Sequence, residues 1–539
     1  MHLQKYYIEN KWIITTAIAV LMLLIYSRAA TAGFVTDFTG LHMKMQGQGL
    51  GAALHSFGFP SLMPLLNIIY WLLYKVFGLN AWGWFLFAVI ISSLTLATFY
   101  GTISILLEDF GFDLKNRRFI ALVTVALVLT SPYQVEAMIW KVGLGHLMSV
   151  ALFIIAFHHL ILYLNTCRTI YLISMLTALM LSLFCFEWGL VFPMMASVVL
   201  LGYWRLGKLT INRGGKIFIW TLVPVAVYLI LTKLVLGYWL GHYDTETEMN
   251  LKVPTMISTT FKYLIKHLFF TPFYSTELKQ SFYGLADKFW FLGVAVFLLV
   301  SMLGYWISKG RQLTLKAVVL CCLLLGLVLV SGLHFHDLLL SENDRYGSLF
   351  IYFFAFMLAL FMGNISPWRG YTIFFLYLVV QIVSQQILVN QWEKSQDQVA
   401  KITHTYNDLN VAQEDQVLIL NLPENYRGTF MFRDFSGENP LSHHLTMHGI
   451  VHPQLDIVAQ YNLPYKGQAY SGKWIADGRI RLEAQEWGSW WWSKGLGLGK
   501  YETDQYIFEP KSKAMEVQLK PGHSYTKLIY FNGERWIQL

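Results

Sequence analysis

The run Val142–Leu164, VGLGHLMSVALFIIAFHHLILYL, contains no Asp, Glu, Lys or Arg. As a helix rising 1.5 Å per residue it is long enough to cross a bilayer, which takes about 20 apolar residues. Comparable runs lie on both sides of it. Spans are expected near Trp12–Tyr26, Trp82–Leu107, Phe119–Ser131, Val142–Leu164 and Ile170–Phe186. Others follow near Trp188–Trp204, Ile217–Leu236, Phe289–Ile307, Ala317–Leu333, Ser348–Met362 and Tyr371–Val389. The reading is an all-α polytopic membrane domain of about 11 transmembrane helices.

Composition agrees. Of 539 residues 55% are hydrophobic and only 13% charged, about half the charged fraction of soluble domains. That excludes an ordinary soluble enzyme and a disordered chain. The four cysteines, Cys167, Cys185, Cys321 and Cys322, lie in or beside apolar runs and form no disulfide framework or CxxC metal motif. Their scarcity fits a bacterial inner membrane.

The net charge of +8 is unevenly spread: from Gln391 onward 15 Lys+Arg face 17 Asp+Glu, against 25 and 15 before it. With the N-terminus in the cytoplasm, the inner segments collect Lys115, Arg117, Arg118, Arg168, Arg205 and Lys208 among others. The positive-inside rule therefore accounts for the excess, and no nucleic-acid partner is needed. Counting the apolar stretch Ser61–Phe77 as a further span would invert everything downstream. It reads instead as a re-entrant or interfacial helix. Ala30-Thr31-Ala32 resembles a cleavage site, but Arg28 between it and the apolar run favours a retained anchor.

Three outer segments are large: 28–81, 237–288 and the tail 390–539, leaving 1–389 as the multi-pass domain. The tail alternates strand-like runs with Asp477-Gly478 and Asn532-Gly533, dipeptides that favour tight hairpins. It reads as an extracytoplasmic, β-rich α+β domain.

Charged residues at outer helix ends are the candidates for chemistry. Asp37, walled by Phe34 and Phe38, is either a general base or the cap of a following helix. Glu136 and Lys141, in SPYQVEAMIWK (131–141), either bind substrate or pair at the surface. Glu187 interrupts a long apolar stretch, where an acid is costly and usually functional unless it marks a turn. Arg345, beside Tyr346, opens a late span, where a guanidinium can grip a phosphate or snorkel. Lys262 and Lys266 recur at helical spacing on an amphipathic segment that could hold an anionic headgroup or face solvent. His334, His336 and Asp337 lack further metal-ligand partners, and Gly449 and Pro453 break the helix on which His444, His448 and His452 would share a face. The Trp-rich stretch Glu486–Trp492 reads as domain packing ahead of sugar stacking or membrane contact.

The order of these parts resembles the C-type (GT-C) integral-membrane glycosyltransferases. One span leads to a long outer loop with an early acid, a Pro-containing apolar helix (Pro60–Leu65), a Lys75–Asn80 turn, two more spans and then Ser131–Trp140. The resemblance covers roughly Met1–Val389. It implies a polyprenyl-phosphate-sugar donor, transfer on the extracytoplasmic face and a catalytic acid in the first outer loop, which falls on Asp37. It implies donor-phosphate binding by basic residues at outer helix ends, here Arg345 with Lys262 and Lys266. Glu136, Lys141, Glu187 and Tyr346 are expected to bind substrate. The acceptor is a lipid-linked glycan, lipopolysaccharide, other polysaccharide or protein, and transfer inverts the anomeric centre. Many members carry a second acid beside the first. Here Phe38-Thr39-Gly40 follows Asp37, so no metal and no cofactor are expected. The competing reading is a lipid or glycolipid flippase, whose expected repeated halves are not visible; a scaffold for surface-polysaccharide machinery is a third.

Overall fold

The computed structural model describes residues 2–47, 49–54, 61–239, 253–274, 276–291, 310–331, 344–363, 367–432, 439–463, 470–484, 490–492, 499–511 and 514–539. The expected span Phe289–Ile307 (from 292 on), the His334–Asp337 turn and residues 486–489 lie outside these residues.

Among the described residues seven helical stretches are long and apolar enough to cross a membrane: Trp12–Ala29, Ala81–Asp109, Lys141–Thr166, Glu187–Arg205, Ile211–Leu236, Asp344–Met362 and Trp368–Tyr406. An eighth is a pair, Leu114–Leu129 and Pro132–Ile139, bent by 55°. The helix at Thr169–Leu183 is shorter, with 15 residues, as is Arg311–Leu325, so the described spans number fewer than the eleven expected. Exposed apolar side chains such as Ile219, Trp220, Leu234 and Phe375 cover the outside of the bundle. Water would penalise that surface; lipid would not. This is a multi-spanning membrane protein.

We number the helices that build the site. The first, α1 (His2–Tyr26), is followed by α2 (Asp37–Gly47), α3 (Leu50–Leu54) and α4 (Pro64–Phe77). The stretch Ser61–Phe77 thus forms a 14-residue helix, about 21 Å long and too short to span. Pro64 starts it, where a missing N–H costs nothing. Next come α5 (Ala81–Asp109), capped by the Asn80 side chain, and α6 (Leu114–Leu129), capped by Asp113. Pro132 then breaks the chain into the short α7 (Val135–Ile139), and α8 (Leu144–Thr166) runs back. This alternation puts Lys115, Arg117, Arg118 and Arg168 at one end of the bundle and the turn 130–143 at the other. At the basic end, Asp109 binds Lys208 (2.5 Å), Asn165 (2.7 Å) and Tyr203, tying three helices together.

Three later helices matter: α9 (Val253–Phe269), α10 (Thr276–Lys288) and α11 (Pro367–Tyr406). The last has 40 residues. Its first half lies on the bundle, and its second half packs Val399, Ile402 and Tyr406 into the C-terminal domain. Residue 390 therefore falls inside a continuous helix. Among the described residues the domain has two sheets. One is mixed, ordered β11 (Trp536–Gln538), β10 (Lys527–Phe531), β1 (Gln416–Tyr426), β3 (Gln454–Leu463) and β6 (Trp490–Trp492), with β2 (Thr429–Phe430) paired to the end of β1. The other is antiparallel, ordered β4 (Tyr470–Ala476), β5 (Arg479–Ala484), β9 (Ala514–Leu519), β8 (Tyr506–Pro510) and β7 (Tyr501–Glu502). Both expected hairpin dipeptides sit between paired strands, with Gly478 at φ +65° and Gly533 at φ +97°. A further helix, α12 (Pro440–Met447), packs against α2.

Candidate functional site

The site forms where the bundle end meets the C-terminal domain. Its first wall is the segment leading from α1 to α2, held against the turn after α7. Gly33 makes that contact possible. It lies at φ +98°, and a Cβ there would sit 2.2 Å from the Ile139 carbonyl oxygen. Its own carbonyl accepts the Lys141 N–H at 3.2 Å. Trp140 Nε1 donates to the Val35 carbonyl at 3.4 Å. Thr36, at φ +53°, holds a left-handed conformation that costs a β-branched residue strain. Its carbonyl accepts from the Thr39 N–H and hydroxyl, and α2 begins at Asp37.

Phe34 and Phe38 stack at 4.4 Å, both edge-on to Trp84. Lys141 is buried 5.8 Å from the Phe34 ring centroid, and its ammonium donates to the Ala30 carbonyl at 3.2 Å. Among the described residues no carboxylate pairs with it. Beside it is a small cavity whose lining includes Trp84, Met138, Trp140 and Leu144.

Two buried ion pairs form the second wall. The Arg345 guanidinium pairs with Glu136, and the Arg345 backbone N–H donates to the same carboxylate at 2.9 Å. Next to it Lys266 pairs with Asp344, both 2% exposed. Tyr133 and Tyr263 face the Lys266 ammonium, and the Tyr133 hydroxyl donates to the Lys266 carbonyl. Burial, aided by the Lys266 charge, pushes His267 on α9 down to about 3, so the imidazole is neutral. Burial and Lys266 also lower Lys279 on α10 to about 8. The Trp140 ring that lies 4.7 Å from the Arg345 guanidinium also donates its indole N–H to the Val35 carbonyl, two residues before Asp37. Glu136, Arg345 and Tyr346 thus gather around Trp140, and Lys141 and the segment opening on Asp37 are held against the same turn.

The other anticipated residues stand apart or at the edge. Lys262 pairs with Asp287 at 2.7 Å, on the flank of α9 facing α10. Glu187 is buried, accepts from Ser61 and leaves Oε1 without a hydrogen bond. It connects through its neighbour Trp188, whose indole donates to His146 at 3.3 Å; the His146 ring in turn meets Tyr346 edge-on at 5.1 Å. The tail histidines diverge: His452 bonds Ser442 and Thr446, while His444 packs on Phe432 and His448. Among the described residues no three His, Cys, Asp or Glu side chains cluster as a metal site would.

Sequence reasoning misses Asp344 as the partner of Lys266, His146 as a link and Phe430 altogether. Phe430 comes from the C-terminal domain yet packs 4.8 Å from Trp140. The sequence marks it only as part of an apolar strand.

Fold and site define a multi-spanning membrane protein with a charged, aromatic-walled site under an α+β domain. Among solved structures, the chain is similar to ArnT from Cupriavidus metallidurans bound to undecaprenyl phosphate, at 13% identity and a TM-score of 0.37, covering 83% of this chain and 86% of that one. The same protein in the apo state is 12% identical with a TM-score of 0.35, covering 85% and 93%. No protein-family model matches the chain, and no curated protein matches it either.

Proposed function

We propose that this protein is a C-type membrane glycosyltransferase, moving a sugar from a polyprenyl-phosphate donor to a hydroxyl of a glycolipid, polysaccharide or protein acceptor. The site faces the extracytoplasmic side of the inner membrane, with the N-terminus in the cytoplasm. The observation that carries the reading is that Trp140 joins the segment opening on Asp37 to Arg345 at the bundle end, beside Lys141.

In this reading the acceptor oxygen attacks the anomeric carbon while the bond from that carbon to the phosphate oxygen breaks. Asp37 takes the acceptor proton, and polyprenyl phosphate leaves with the bonding electron pair. Single displacement inverts the centre. Arg345 and Lys141 hold the departing phosphate. Lys141 is suited to this because, among the described residues, its ammonium has one protein acceptor, a backbone carbonyl, and it faces a cavity. Lys266 and Lys262, each held by an acid, set the surrounding charge and engage the donor only if those pairs open. Tyr346 and Glu187 bound the sugar side, with Glu187 Oε1 left to accept from a hydroxyl.

The test supplies radiolabelled polyprenyl-phosphate sugars and a membrane glycolipid extract to wild type and to Asp37→Asn. Transfer by wild type alone is expected. Transfer by both would remove Asp37 as the base. No transfer by wild type, combined with movement of undecaprenyl phosphate between leaflets, would replace the reading with a flippase.

A further inference from the structure

Arg345 lies among three rings: Trp140 at 4.7 Å, Tyr346 at 4.5 Å and Phe430 at 5.7 Å from its guanidinium carbon. Two of these belong to the bundle. The third is delivered by the C-terminal domain, and its delivery is tightly specified. The β1–β2 turn places Arg427 at φ +52° and Gly428 at φ +88°, with the Gly428 N–H bonded to Asn425 Oδ1 at 2.8 Å. The Arg427 N–H donates to the Leu463 carbonyl at 3.1 Å, fixing the turn to β3. The Phe430 carbonyl then accepts from the Ser395 hydroxyl on α11 at 2.7 Å. The ring ends up 1% exposed.

We infer that Phe430 is a positioning residue, which the C-terminal domain contributes to the phosphate-binding arginine of the bundle. A buried guanidinium has to be oriented as well as neutralised. Glu136 takes one edge of the planar fork, and the ring faces restrict its tilt and keep water away. The other terminal nitrogen makes only a long 3.4 Å contact to the Tyr346 hydroxyl, which a phosphate oxygen can replace, and that attraction is stronger because the surroundings are dry. The C-terminal domain is on this account a structural part of donor binding. The inference rests on the reading of Arg345 as the donor-phosphate residue.

The full chain in lipid nanodiscs is titrated with undecaprenyl phosphate, and donor KM and kcat are measured in parallel. Phe430→Ala is expected to raise both the Kd and the donor KM about fivefold to tenfold, the size of one desolvated cation–ring contact, with kcat within about twofold of wild type. Phe430→Tyr should restore both. Phe430→Leu keeps the apolar volume without a ring, so it should behave like Ala, and it serves where Ala does not fold. The inference is overturned if Leu binds as well as Tyr, if neither constant moves, or if kcat alone falls. Arg345→Ala separates the two levels. If it leaves the Kd unchanged, the underlying assignment of Arg345 fails; if it weakens binding while the Phe430 variants do not, Phe430 alone loses its role.

Discussion

Glu136 grips Arg345 twice: one carboxylate oxygen pairs with the guanidinium, and the other accepts the Arg345 backbone N–H at 2.9 Å. The two residues are 209 positions apart. The contact therefore ties the turn after α6 to the start of a span late in the chain. Both side chains are under 10% exposed, so each charge depends on the other for compensation.

Glu136→Ala should consequently destabilise the protein by about 3–5 kcal/mol, because it strands a buried guanidinium. Glu136→Gln keeps the volume and one of the two acceptor oxygens, so it should cost less than Glu136→Ala, although its amide NH2 replaces an acceptor at one of the two Arg345 contacts. The double change Glu136→Leu with Arg345→Met should recover much of the lost stability while leaving transfer abolished. Thermal unfolding of the three variants in detergent, alongside the transfer assay, checks the ordering. A double variant no more stable than Glu136→Ala would mean that the pair does more than neutralise its own charges.

Asp37 is expected to matter for rate and little for folding. It is partly exposed at the first turn of α2, where a carboxylate also favours the helix dipole. Asp37→Asn keeps the shape and removes the proton acceptor. Transfer should fall by about 10²–10⁴-fold, the usual contribution of a general base, with the unfolding temperature nearly unchanged. If Asp37→Ala lowers unfolding temperature and activity together while Asp37→Asn, which still caps a helix, keeps both, Asp37 is a cap and nothing more.

Lys141 should show stability and function moving in opposite directions. A buried ammonium without a carboxylate is costly, and among the described residues its one acceptor is the Ala30 carbonyl and no carboxylate pairs with it. Lys141→Met fills the same space without the charge. The unliganded protein should unfold at an equal or higher temperature, while undecaprenyl phosphate binds at least tenfold more weakly, about 1.4 kcal/mol. Equal binding by the variant would leave Arg345 alone with the phosphate.

Period and hydropathy make the bundle legible because lipid leaves helices few alternatives, and most of the spans begin and end near charges the sequence displays. The short helix Pro64–Phe77 is legible for the same reason: counted as a span, it would reverse the charge bias. Asp37, Glu136, Lys141, Arg345 and Tyr346 can be picked out singly, since polar groups at apolar helix ends are conspicuous. Their pairings cannot. Whether Lys266 faces an anion or Asp344 depends on the rotation of α9 and on a turn 78 residues later, and no local rule sets either. Phe430 is the hardest case. An apolar residue in a strand usually faces its own domain's core, and only the seating of β2 against α11 turns this one towards Arg345.

Acidification should loosen the C-terminal domain. Burial, with the positive tendency of His448 beside it, pushes His444 on α12 down to about 3. Its ring is packed against Phe432 at 5.4 Å and His448 at 4.6 Å, and its Nδ1 has no hydrogen-bond partner. Unfolded, the same group titrates near 6.5. Between those values the unfolded chain binds a proton that the folded chain does not, so stability rises with pH there and is lost as pH falls below about 6.5, by at most about 1.4 kcal/mol per pH unit for this group. His42 on α2 and His448 are also lowered by burial, so they act with the same sign at the contact between α2 and α12. Unfolding temperatures measured between pH 7.5 and 5 should decline for the wild type and decline less steeply for His444→Phe, which keeps a ring in the same packing. Equal slopes for the two proteins would mean that His444 is protonated in the folded domain, and that its apolar surroundings open before acid reaches it.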